Sequence, residues 1–210
     1  MQQLDLRVLI PRQDIAAKVQ EMGEAVSRDY HGQEVLLVVV LRGAALFAAD
    51  LCRHISTDVV LDFIAVSSYG SSTSTSGVVR FLKDLDESVE GRHVLVVEDI
   101  VDTGLTLTYL IENLKSRRPR SLKTCALLDK PSRRRVNIRP DYVGFTIDDL
   151  FVVGYGLDWD QRYRHLPDIC IHTEQGRIIY TFYLSVIRYA ELWYLKWIVF
   201  ISLGLTQDTE

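Results

Sequence analysis

Basic residues are not in excess in this chain: 24 Lys and Arg stand against 28 Asp and Glu, a net charge of −4. That balance argues against general nucleic-acid binding, which needs a positive surface. Cysteine is scarce, with three residues at Cys52, Cys125 and Cys170, and their spacing is not that of a metal-ligand set. Their apolar flanks predict three buried free thiols, which suits a reducing, cytoplasmic setting. An apolar leader is missing too, because MQQLDLRVLIPRQD carries charges where a signal peptide has its apolar region. Long uncharged runs are also absent. Even the apolar stretch over 178–204 is cut by Arg188, Glu191 and Lys196, so it falls short of the roughly 18 residues that a spanning helix needs.

What the chain does have is apolar residues, at 48% of 210, enough for one domain with a real core or one domain plus an appendage. Pro11 opens a predicted helix to about Tyr30, with Ile15, Val19, Met22 and Val26 as its apolar stripe and Gly32 just beyond it. The run VLLVVVL at 35–41 reads as a strand buried on both faces, as in a parallel sheet. A helix follows Arg42-Gly43, then strands at 59–66 and 78–85 flank the Ser/Thr/Gly-rich segment 67–77, which predicts a mobile loop. The remaining elements are a strand at 93–98, a helix at 105–118, a strand at 122–129, a basic loop at 130–140, and short strands near 142–146 and 151–153. The alternation predicts an α/β fold with a mainly parallel central sheet flanked by helices. Ligands of such sheets bind at the carboxyl ends of the strands, where Arg42-Gly43, Glu98–Thr106 and Asp129-Lys130 are expected.

The stretch VLVVEDIVDTGLTLT at 94–108 carries the most chemistry. An apolar strand runs into Glu98 and Asp99, then into Asp102-Thr103-Gly104-Leu105-Thr106 at a helix start. Gly104 lets backbone approach a ligand, and the N–H groups of a helix start attract an anion, with Thr103 and Thr106 adding hydroxyls. Asp102 or Thr103 reads equally as an ordinary helix cap. The acid pair is harder to explain that way. Two carboxylates at the end of a buried strand repel each other and lose solvation unless hydroxyls or a cation bind them.

This segment resembles the phosphoribosyl-pyrophosphate (PRPP) motif of the type I phosphoribosyltransferases. Leu41-Arg42-Gly43 is similar to the pyrophosphate loop of the hypoxanthine-guanine members, in which the peptide before the basic residue is often cis. Ser68-Tyr69 resembles the start of their mobile flap. Leu128-Asp129-Lys130, Pro140–Phe145, Phe151–Asp158 and Arg164-Leu166-Pro167 follow in the family's order, so the resemblance covers roughly residues 5–175. Leu105 stands where some members carry Lys, which reads as a subtype.

The resemblance implies the type I phosphoribosyltransferase fold with a small hood built from N- and C-terminal segments, over residues 1–177. It implies transfer of phosphoribosyl from PRPP to hypoxanthine or guanine, with Mg²⁺. Glu98 and Asp99 would hold the ribose hydroxyls directly or through metal. Asp102 would act as the base beside purine N7, and residues 102–106 would cradle the 5-phosphate. Arg42, Gly43 and Arg164 would hold pyrophosphate, and Asp158 would ligate its Mg²⁺. Lys130 would select the 6-oxo group, Phe151 would stack on the base, and Val152 with Asp158 would read its other edge. Taken singly, Lys130 is a surface lysine, Phe151 a core residue, Arg164 a solvated charge and Asp158 a turn residue. The cluster Arg133-Arg134-Arg135 reads as solvated or as facing a neighbouring subunit.

Two other functions stay open: a regulator that binds PRPP or nucleotides without chemistry, and a transferase preferring xanthine. The family also implies a homodimer or homotetramer. Residues 178–210 lie beyond the resemblance as an apolar extension. It packs on the body or in an oligomer interface, lies at a membrane surface with Trp193 and Trp197 at headgroup level, or is weakly ordered. Membrane contact is the less favoured of these.

Overall fold

The computed structural model describes residues 5–68 and 79–172. The flap residues from Tyr69 onward and the extension at 178–210 therefore lie outside the described residues, as does the expected boundary at 177/178. By contacts the chain divides into two compact units, 1–7 with 171–210, and 8–170. The site described below lies wholly in the second.

The elements, in order, are β1 (Leu6–Ile10), α1 (Arg12–Asp29), β2 (Val35–Leu41), α2 (Ala45–Arg53), β3 (Val59–Ser68), β4 (Val79–Lys83), β5 (His93–Val101), α3 (Leu105–Ser116), β6 (Ser121–Asp129), β7 (Tyr142–Thr146), β8 (Val152–Val153) and β9 (Ile169–His172). Six strands form the central sheet in the order β4-β3-β2-β5-β6-β7. All its pairings are parallel except that of the edge strand β4 with β3. A second sheet has the order β1-β9-β8. The α/β prediction holds, and β2 is buried from Val35 to Val40, as its unbroken apolar run requires. The strands β1 and β9 escaped the sequence reading, since each is short and lacks clear alternation.

The core on one face of the sheet joins Leu36, Val38 and Val40 of β2 with Val94 and Val96 of β5 and Leu107, Leu110 and Leu114 of α3. The stripe of α1 is buried where it was expected, at Ile15, Val19, Met22 and Val26. Burying side chains of this size contributes about 1.5–3 kcal/mol each, enough to fix α3 and the turn before it against the sheet. Cys125 and Cys170 are buried, but Cys52 is only partly so, because it lies on α2 outside the stripe of Phe47, Ala48 and Leu51. Among the described residues no helix is long and apolar enough to cross a membrane.

The sheet order creates a cleft. From β2 the chain steps outward to β3, and it later returns to the other side of β2 with β5. This makes β2/β5 the point where winding reverses, the usual ligand site of such sheets. The register shows the opening: β2 and β5 pair only as far as Val39 with Val97, whereas β2 stays with β3 to Leu41 opposite Ala65.

Candidate active site

Beyond Val97 the strand β5 does not stop at its acids. Ile100 and Val101 pair with Leu128 and Asp129 of β6, which keeps β5 straight while its other edge is open. The strand predicted to end at 98 is longer for that reason. Glu98 is buried, and loss of solvent followed by the charge of Asp99 pushes its carboxyl well above the ordinary range. Asp99 is pushed up to about 6, chiefly by burial, and nearby Asp158 adds to the rise. The N–H of Ile100, which donates to Asp99 Oδ1 at 2.9 Å, works the other way, as does Arg164.

Across the cleft, Gly43 abuts this pair, and a Cβ at residue 43 would overlap the Asp99 carboxylate. A Cβ on Gly156 would in turn overlap the carbonyl of Gly43. Glycine at both positions lets three segments meet: the end of β2, the end of β5 and the loop after β8. The Leu41–Arg42 peptide is cis.

The turn 102–104 leads into α3 with Gly104 at φ +81°, a left-handed conformation at the helix cap. The cap position is held by Gly104, which has no side chain, so neither Asp102 nor Thr103 is the cap residue. The Thr103 hydroxyl still accepts from the N–H of Leu105, the first helical residue, at 3.4 Å. A cavity of about 100 Å³ opens here, lined by Glu98, Asp102, Thr103, Gly104 and Thr106 among others. Its lining therefore combines the Glu98 and Asp102 side chains with the helix-start turn and two threonines, which suits a polyol carrying a phosphate.

Lys130 follows β6 and is buried, not a surface lysine. Its ammonium donates to the carbonyl of Leu150 at 2.5 Å, and burial lowers its pKa while Asp102 and Asp149 oppose that. Phe151 is 42% exposed, so it is not core. Val152 is buried in β8. Arg164 is no solvated charge: it donates to the carbonyl of Gly156 at 2.6 Å and pairs with Asp158 Oδ1 at 2.7 Å. Arg42 is exposed and donates to Gln161 Oε1 at 2.8 Å. For Ser68 the backbone alone is described, as the last residue of β3.

For Arg134 the solvated reading of the Arg133-Arg134-Arg135 cluster is corrected, whereas Arg133 and Arg135 are exposed, as that reading has it. Arg134 pairs with buried Asp129 and donates to the Asp102 carbonyl at 3.0 Å, while Arg133 Nε lies 3.2 Å from Asp102 Oδ1. The N–H of Arg135 donates to the Thr103 carbonyl at 3.0 Å. These arginines fasten the loop after β6 onto the turn before α3. The available signal was their place, directly after a buried strand that ends in an acid. Gly156, within the quoted segment Phe151–Asp158, and Gln161, between that segment and Arg164, were also missed as site residues.

Among the described residues no three His, Cys, Asp or Glu side chains converge as a ready cage for a metal. Glu98 and Asp99 nonetheless fit a hard divalent cation that takes its remaining ligands from substrate phosphates, the common arrangement for Mg²⁺.

Residues 10–160 match the family described as phosphoribosyl transferase domain. A hypoxanthine-guanine phosphoribosyltransferase of Mycobacterium tuberculosis is 54% identical over 168 residues, covering 77% of this chain and 83% of that protein. A hypoxanthine phosphoribosyltransferase of Escherichia coli is 50% identical over 166 residues, covering 78% and 93%. Among solved structures, a hypoxanthine-guanine phosphoribosyltransferase from Bacillus anthracis superposes with a TM-score of 0.77 at 47% identity, covering 80% of this chain and 99% of that one.

Proposed function

The chain belongs to the phosphoribosyl transferase family, and from that premise we propose that it transfers the phosphoribosyl group of PRPP to N9 of hypoxanthine or guanine, giving IMP or GMP and pyrophosphate. The observation that carries this reading is one cavity at the β2/β5 opening, lined by buried Glu98, next to partly buried Asp99, and by the turn that starts α3.

In this reading the 5-phosphate occupies the turn 102–106, and the ribose hydroxyls are held by Glu98 and Asp99. Arg42, the Gly43 backbone and Arg164 hold the pyrophosphate. Asp158, Glu98 or Asp99 would hold Mg²⁺ together with the pyrophosphate, and the bound ion would neutralise charge on the leaving group. The C1–O bond breaks, its electron pair leaves with pyrophosphate, and purine N9 donates a pair to C1. Asp102 accepts the proton that the purine loses at N7. The protein's contribution is positioning and electrostatic stabilisation of an oxocarbenium-like transition state.

Lys130 recognises the 6-oxo group with an ammonium proton. Adenine presents an amino group at that position, a donor facing a donor, so it is rejected. Phe151 lies against the base, and Val152 with Asp158 reads its far edge. Ser68-Tyr69 begins the flap that shields the activated sugar from water.

A homodimer or homotetramer belongs to the same proposal, supported by the exposed apolar side chains Leu61 and Phe63 of β3 and Leu82 of β4. A cytoplasmic location is supported by three unpaired cysteines. A non-catalytic regulator and a xanthine-preferring enzyme are not favoured, since the relatives carry the names of hypoxanthine and guanine transferases. The test is pyrophosphate release from PRPP and Mg²⁺ with a panel of hypoxanthine, guanine, xanthine and adenine. Turnover confined to the first two is expected, and no turnover with either overturns the proposal.

A further inference from the structure

We propose that Gln161 is a positioning residue for the pyrophosphate end of PRPP, its amide oxygen gathering the guanidiniums of Arg42 and Arg164 onto one point. This rests on the reading above that these two arginines receive pyrophosphate. Gln161 Oε1 accepts from Arg42 Nη1 at 2.8 Å and from Arg164 Nη2 at 3.3 Å. The backbone N–H of Gln161 donates to Asp158 Oδ2 at 2.8 Å. One residue thus touches both arginines that the proposal assigns to pyrophosphate and one of the carboxylates, Asp158, that it assigns to the metal.

The chemistry of the contact matters. Two guanidiniums drawn together repel each other, and a carbonyl dipole between them offsets part of that repulsion. Arg164 also has the Asp158 carboxylate. Among the described residues Arg42 has no carboxylate within ion-pair distance, so its charge is held by a neutral group and stays available to an anion. Holding the side chain in advance lowers the ordering cost when pyrophosphate arrives.

The backbone supplies a second, independent argument. Trp159 and Arg162 exchange N–H···O bonds at 3.1 and 3.0 Å, which closes a two-residue hairpin loop over Asp160 and Gln161. Both loop residues have positive φ, +51° and +63°, as a type I′ turn requires. Glycine suits the second of these positions best. A long amide stands there instead, and its oxygen is the atom that reaches both arginines.

That geometry makes Gln161→Gly a discriminating variant, because it relieves the turn while deleting the acceptor. The measurements are the Kd of inorganic pyrophosphate with Mg²⁺ by calorimetry, KM for PRPP and for hypoxanthine, kcat and Tm. The expected result is an unchanged or higher Tm. PRPP KM and pyrophosphate Kd should weaken on the order of tenfold, while hypoxanthine KM and kcat move far less. Gln161→Glu clamps both arginines with a carboxylate and repels the anion, so it should weaken pyrophosphate further, more so at low salt. Unchanged pyrophosphate Kd and PRPP KM in Gln161→Gly overturn the inference. So does loss of binding together with loss of Tm, since a purely structural turn would behave that way. If the unaltered protein binds pyrophosphate but does not turn over hypoxanthine with PRPP, the functional proposal fails while this one is still read from the Kd.

Discussion

The α-carbon of Gly43 lies against the carboxylate of Asp99, so close that a Cβ on Gly43 would overlap it. This contact sets the width of the cleft between β2 and β5, and the Gly43 carbonyl is itself pressed against Gly156. Gly43→Ala must therefore push Asp99 away or open the cleft. Displacements near 1 Å at a reacting centre cost on the order of a hundredfold in rate. The expected outcome is a loss of roughly that size in kcat/KM for PRPP, with the far-UV circular dichroism unchanged. Activity within a few-fold of the unaltered protein would show that the contact does not position Asp99.

Asp99 also links pH to stability. Its carboxyl is raised by burial to about 6, above the ordinary value of 3.8, so the folded protein binds more protons than the unfolded chain between those pH values. Stability contributed by this group is therefore present at acid pH and falls as pH rises through that window. At neutral pH the ionised Asp99 carboxylate is a cost that a bound cation or ribose would offset. Asp99→Asn should remove the cost, stabilising the free protein at pH 7 by about 1–3 kcal/mol, or several degrees in Tm, while activity drops. The gain should shrink near pH 5. Thermal melts of both proteins at the two pH values check this, and a lower Tm for the variant at pH 7 would contradict it.

The parallel sheet, and the acid pair and turn proposed as the sugar-phosphate site, were legible because each is written locally. The unbroken run at 35–41 could only be a strand covered on both faces, and the acid pair with the turn at 98–106 lies in one segment. What was not legible depends on distant partners. The burial of Arg134 requires Asp129 and the Asp102 carbonyl, brought together by the loop after β6. Gln161 acquires meaning only when Arg42, 119 residues earlier, meets it across the cleft. Cys52 looked buried from its neighbours, yet a helix presents only one stripe to the core.

Under the proposed function, Lys130 separates purine recognition from PRPP recognition. Its ammonium is buried and already donates to the Leu150 carbonyl, so the direction of its remaining protons is fixed. A hydrogen bond from a charged donor is worth about 1.5–3 kcal/mol. Lys130→Ala should raise KM for hypoxanthine by roughly ten- to a hundredfold and leave KM for PRPP near its starting value. Asp102→Ala should do the opposite, lowering kcat by about a hundredfold or more, the scale for a general base. Steady-state kinetics on the two variants would expose an error in either role: unchanged hypoxanthine KM in the first, or near-normal kcat in the second.

Arg134 carries a structural prediction at the same end of the sheet. Its guanidinium is 13% exposed and the Asp129 side chain 9%, so this pair is largely shielded from water. Removing one partner of such a pair strands the other charge, which costs about 3–5 kcal/mol, far more than an exposed pair is worth. Arg134→Met should thus lower Tm by about 10 °C, whereas the more exposed Arg133→Met, at 45%, should change it by little. The double variant Arg134→Met with Asp129→Asn should recover much of the loss, because no buried charge is left alone. Failure of that rescue would mean that Arg134 stabilises the loop through its bond to the Asp102 carbonyl and its packing over Gly104, where its Cδ lies 3.0 Å from the position a Cβ would take.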